Sequence, residues 1–111
     1  MGGMTSTPDL PSTFAALEQR FRPGQVERET VYYLSMGDAP DQKWTLVLFP
    51  DSWRASVGKT ENADCVLKVS AELFIKLCAE EWKPSVTDFM TGKIKTSDIE
   101  HLRRLQASFG L

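Results

Sequence analysis

The chain has a single histidine and two cysteines among its 111 residues. A hydrolase or transferase that works through a nucleophile and a base needs such side chains in sets. His101 lies between Glu100 and Leu102 in a helical stretch, without a second ligand or a nucleophile near it in sequence, and reads as a solvated surface residue with no role. Cys65 and Cys78 are too far apart for a paired zinc motif and too few for a disulfide framework. Their neighbours Val66, Leu67 and Leu77 are apolar, so both read as small buried hydrophobes, with a reducing compartment to match. Long apolar runs are missing too. The longest, Leu46 to Phe49, cannot span a bilayer, and no signal-peptide pattern opens the chain, so the expectation is a cytoplasmic protein without stable membrane insertion. No basic surplus exists: Lys and Arg number 13 against 15 Asp and Glu, for a net charge of -2, which argues against nucleic acid as a partner. A glycine-rich phosphate loop is likewise absent.

What is present is ordinary globular material, 41% hydrophobic and 25% charged, in a length that supports one core. Residues 1–11 carry Gly, Ser, Thr and Pro without periodicity and read as a flexible lead-in; 12–111 read as one domain. Gly2 and Ser6 satisfy the loose myristoylation spacing, which chance or a cloning remnant ahead of Met4 also explains.

Within the domain, Ser12 or Thr13 is expected to cap a helix with Phe14, Leu17 and Phe21 on one face, ended by Pro23-Gly24. Strands follow at Val31–Leu34, Trp44–Phe49, Trp53–Val57 and Asp64–Val69, where β-branched and aromatic residues alternate with polar ones. Ser70 caps a helix carrying Leu73, Phe74, Leu77, Cys78 and Trp82. Val86, Phe89 and Met90 form a short helical turn stopped by Gly92, and Lys93–Thr96 is a last strand. A capping box of Ser97 and Glu100 starts a final helix lined by Ile99, Leu102, Leu105 and Phe109, with Glu100 and Arg104 as an exposed pair. Strands and helices are partly segregated, which defines an α+β sheet covered on one face.

Glu80-Glu81 and Glu27/Glu29 are the nearest candidates for acid and base. Adjacent residues on a helix diverge, however, and Glu27/Glu29 fits the polar start of a strand, so no catalytic residue, metal ligand or cofactor is assigned. The unusual feature is the supply of large apolar groups, Trp44, Trp53, Trp82, Phe74, Phe89, Met90 and Phe109 among them. Periodicity alone reads these as a packed core and does not see a void.

The stretch Ala63-Asp64-Cys65-Val66-Leu67-Lys68-Val69-Ser70-Ala71-Glu72-Leu73-Phe74, followed by Phe89-Met90-Thr91-Gly92-Lys93-Ile94-Lys95, is similar to the sterol carrier protein type 2 (SCP2) family, which shows the same two motifs in the same order. Residues 13–60 agree in element order only. The chain departs from the family pattern at Lys95-Thr96-Ser97-Asp98, where many members have a second glycine, and it ends in Phe109-Gly110-Leu111 rather than in a peroxisomal tripeptide. The resemblance implies a five-stranded, mostly antiparallel sheet covered on one face by helices, with a hydrophobic tunnel between them. Its ligand would be a fatty acid, an acyl-CoA or a sterol-like lipid. The residues it assigns to lipid binding are Trp44, Leu46, Trp53, Phe74, Leu77, Trp82, Phe89, Met90, Ile94, Leu102, Leu105 and Phe109. Ten buried methylenes at about 0.8 kcal/mol each would supply about 8 kcal/mol of gross binding energy without any polar motif. Two other readings stand beside it: an interaction or regulatory module with a filled core, and a small acyl transferase or hydrolase that lacks a nucleophile-base pair.

Overall fold

The computed structural model describes residues 9–111; the lead-in before Asp9, with Gly2 and Ser6, lies outside the described residues. Helix α1 (Leu10–Leu17) starts earlier than the Ser12/Thr13 cap expected, because Asp9 is the cap. Its carboxylate accepts the Ser12 backbone N–H at 2.9 Å, and the Ser12 hydroxyl answers the Asp9 N–H at 3.2 Å. Pro11 is tolerated there because the first turn has no intrahelical use for its missing N–H. A 3₁₀ turn, Glu18–Arg20, ends the helix, so Phe21 lies beyond it in extended backbone and not on the α1 face. Its ring still reaches the core, 5.8 Å from that of Phe109.

The strands are β1 (Thr30–Ser35), β2 (Lys43–Leu48), β3 (Trp53–Val57), β4 (Cys65–Val69) and β5 (Ile94–Thr96). They form one sheet in the order β3-β2-β1-β4-β5. Pairing is antiparallel except between β1 and β4, which run parallel. That parallel step needs a crossover, and β2, β3 and their turns supply it. Register places Tyr32 beside Leu46 and Cys65, and Leu34 beside Leu67. Period-2 alternation then carries these residues, with Leu48, Val69 and Ile94, into one core.

The helices that cover this face are α1, α2 (Ala71–Cys78), α3 (Val86–Met90) and α4 (Ile99–Phe109). Ser70 caps α2 as expected, its Oγ accepting the Leu73 N–H at 3.1 Å. The cap of α4 is Asp98 rather than a Ser97/Glu100 box: Oδ1 of Asp98 accepts the His101 N–H at 3.0 Å. Ser97 is occupied elsewhere, its Oγ accepting the Val66 N–H at 2.8 Å to close the end of β4. Gly92, with φ +81°, turns the chain from α3 into β5 in a conformation that side chains with a Cβ avoid. Among the described residues no helix is long and apolar enough to cross a membrane.

Candidate functional site

The interior contact between sheet and helices is mainly apolar. Leu17 from α1, Leu46 from β2, Phe74, Leu77 and Cys78 from α2, and Leu102, Leu105 and Phe109 from α4 surround a closed space, with Gln106 and Leu111 at its margin. The space amounts to about 10 Å³. That is at the threshold of about 10–15 Å³ that a single water needs, so the expected tunnel is closed here and its walls touch.

Two open grooves flank this zone, and each shares lining residues with it. Leu17 and Cys78 belong both to the closed zone and to a groove of about 990 Å³ between α1 and α2. Gln106 belongs both to the zone and to a groove of about 550 Å³ between α3 and α4. Leu17 and Cys78 on one side and Gln106 on the other therefore stand between the zone and a groove.

The two ends differ in how they are held. At the α1–α2 end Arg20 is a clasp: Nε donates to the Phe109 carbonyl at 3.0 Å, Nη2 to the Gly110 carbonyl at 3.2 Å, and Nη2 pairs with Glu80 at 2.9 Å. The end of α2 is thereby tied to the end of α4. The Arg22 N–H adds a 2.7 Å bond to the Ser108 carbonyl. At the other end α3 is held by its own cap, in which Asp88 accepts the Ser85 N–H at 2.8 Å. Among the described residues α3 has no hydrogen bond or ion pair to α4.

In the first turn of α4, the buried Tyr32 hydroxyl donates to the His101 carbonyl at 2.7 Å and pins the helix to β1. Burial pushes the Tyr32 phenol above its ordinary range. His101 is not the solvated residue expected. It is half-buried, its ring edge-on to Tyr32 at 6.2 Å, with Nδ1 shielded and unpartnered. Burial also pushes the Cys78 thiol up to about 12, against a weaker downward pull from Arg20. A thiol so placed is an apolar wall residue and not a nucleophile.

Of the residues assigned to lipid binding, Leu46, Phe74, Leu77, Leu102, Leu105 and Phe109 come together at the closed zone. Ile94 is fully buried in the adjoining core. Trp44 stacks on Phe14 at 4.5 Å, where β2 meets α1. Trp53 stands edge-on to Phe109 at 5.0 Å from the edge strand, with its shielded Nε1 unpartnered. Trp82 and Phe89 are half-buried against the outside of the core. Met90 is 81% exposed and does not line the interior; α3 is a five-residue helix that turns Phe89 inward and leaves Val86 and Met90 to solvent. Leu17, Cys78, Gln106 and Leu111 complete the zone without having been assigned to it. Leu17 and Cys78 carried a signal in their helical spacing to Phe14 and Phe74; Gln106 and Leu111 carried none. No trio of His, Cys, Asp or Glu among the described residues is placed to hold a metal ion.

No family model and no curated protein matches the chain in sequence. Solved structures do match in fold. The palmitated SCP2L2 of Aedes aegypti aligns at TM-score 0.61 and 17% identity, over 88% of this chain and 91% of that one. The ubiquinone synthesis protein UbiJ-SCP2 aligns at TM-score 0.53 and 15% identity, over 92% of each. The stereoselective inverting sec-alkylsulfatase Pisa1 of a Pseudomonas species aligns at TM-score 0.69 and 23% identity, over 96% of this chain but only 16% of that one. The fold is thus an α+β fold of the SCP2 type, as the two motifs implied. It occurs both as most of a short protein and as a small part of a large enzyme.

Proposed function

We propose that the chain is a non-enzymatic binder of a long-chain lipid, whose alkyl chain lodges between the sheet and the helical layer. The observation that carries this reading is the zone of apolar side chains bounded by α1, α2, α4 and β2, which shares lining residues with two open grooves. The apolar side chains of this seam can part around an alkyl chain while the Tyr32 hydroxyl keeps its bond to the His101 carbonyl. Each methylene that enters recovers about 0.8 kcal/mol against the cost of parting the walls. The likeness to a palmitated SCP2L2, and to part of an enzyme named for alkyl sulfates, adds support because both names involve an alkyl chain with an anionic head. Binding or transfer would proceed without a reacting group, since neither the raised Cys78 thiol nor His101 has a partner for catalysis. Two unpaired buried cysteines suit a reducing, cytoplasmic setting.

A second reading, an interaction module with a filled core, draws on the smallness of the enclosed space, about 10 Å³. Native mass spectrometry of freshly purified protein, followed by solvent extraction, separates the two. A stoichiometric acyl or sterol-like ligand is expected. A clean apoprotein that also leaves the fluorescence of parinaric acid unchanged would support the filled core.

A further inference from the structure

Resting on the lipid-binding reading, we infer that the α3–α4 groove is the entrance and that Arg103 and Gln106 hold the anionic head group of a single-chain amphiphile there. The head groups this chemistry admits are a carboxylate and a sulfate monoester.

Charge separates the two candidate entrances. The α1–α2 groove is lined by the carboxylates of Asp9, Glu72 and Glu81, and its two cations are engaged. Arg20 is bound to Glu80 and to two main-chain carbonyls, and Lys76 pairs with Glu72 at 3.3 Å. An anionic head placed there meets uncompensated like charge. The α3–α4 groove has no carboxylate in its lining, and its one cation, Arg103, has no ion-pair partner among the described residues. Glu100, one turn earlier on α4, reaches Arg104 instead, and Asp88 on α3 is spent on the Ser85 cap.

Placement agrees with charge. Gln106 stands one turn after Arg103 on α4 and is the residue shared by this groove and the apolar zone. A head group held by the pair therefore starts its alkyl chain at the wall of the interior. Val86, Met90 and Ile99 are 74%, 81% and 43% exposed around the groove, an apolar approach for a chain leaving water. This is also the end that Arg20 does not clasp, so α3 can move away from α4 without breaking a hydrogen bond between them.

The test is displacement of parinaric acid by low-micromolar dodecanoate, dodecyl sulfate and dodecanol from the wild type, Arg103→Glu and Lys76→Glu. Both substituted residues are exposed, and circular dichroism confirms that each variant folds. The expected result is that Arg103→Glu weakens one or both anions by about three- to tenfold, leaves dodecanol unchanged, and is not mimicked by Lys76→Glu. Which anion responds distinguishes the head groups. Equal binding of all three competitors by wild type and Arg103→Glu, or a selective loss in Lys76→Glu, overturns the assignment while lipid binding stands. A wild type that binds none of the three removes the lipid reading and this assignment with it.

Discussion

Phe109 joins the ends of the fold: 1% exposed, it lies 5.8 Å from the Phe21 ring, 5.0 Å from that of Trp53, and on the wall of the apolar zone. Phe109→Ala should cost about 3–5 kcal/mol of stability in urea denaturation, because the cavity it leaves cannot close against a clasped chain end. Met90→Ala, at 81% exposure, should change stability by less than about 0.5 kcal/mol in the same experiment. Cys78 reports on the wall itself. With its thiol pushed up to about 12, it should react with iodoacetamide at pH 8 about a hundredfold more slowly than a free cysteine, and more slowly again with fatty acid bound, as peptide mass mapping would show. At this scale the sequence was legible where period and burial coincide, as at Leu102, Leu105 and Phe109. Met90 was not, because a motif shared with a family places a residue near a site without saying which side of a five-residue helix it occupies.

The helices are short, and their ends are fixed by single side chains. Ser70→Ala should cost about 1 kcal/mol in thermal or urea unfolding, since only its Oγ meets the Leu73 N–H. At the other end of α2, Glu80 sits at φ +60°, a left-handed conformation that glycine takes without strain. Glu80→Gly should therefore melt above Glu80→Ala, although both lose the Arg20 pair. Sequence located the four α-helices and five strands, yet misplaced two caps and missed the 3₁₀ turns. Asp9, Ser12 and Thr13 are all competent caps, as are Ser97 and Asp98, and the choice depends on tertiary demands such as the Val66 N–H that claims Ser97. The Arg20 clasp was invisible for the same reason: it joins residues about 90 positions apart in the chain, Arg20 to Phe109 and Gly110.

For the molecule as a whole, acid sensitivity follows from the caps. Asp9 is held below its ordinary value by the Ser12 hydroxyl, Asp88 by the Ser85 backbone N–H, and Asp98 by the His101 backbone N–H. A depressed folded pKa means that these groups stabilise the fold above the unfolded value of 3.8 and lose that contribution as pH falls through the folded values. The urea midpoint should be flat from about pH 7 to pH 5 and drop below about pH 4, less steeply in Asp98→Asn. The five-stranded, mostly antiparallel sheet was implied by the family resemblance; its strand order and the parallel pairing of β1 with β4 were not read from the sequence. The closed state of the interior was not legible at all, because whether facing apolar side chains meet or stand apart depends on fractions of an ångström in the helical layer.

In the proposed complex an alkyl chain occupies the seam between sheet and helices. Isotope-filtered nuclear Overhauser spectroscopy of the protein with ¹³C-labelled palmitate tests it most directly. Contacts are expected from the palmitate methylenes to Leu46, Phe74, Leu102 and Leu105, all of them buried residues. Contacts confined to exposed residues such as Val86 and Met90, with the interior resonances unmoved, would contradict it.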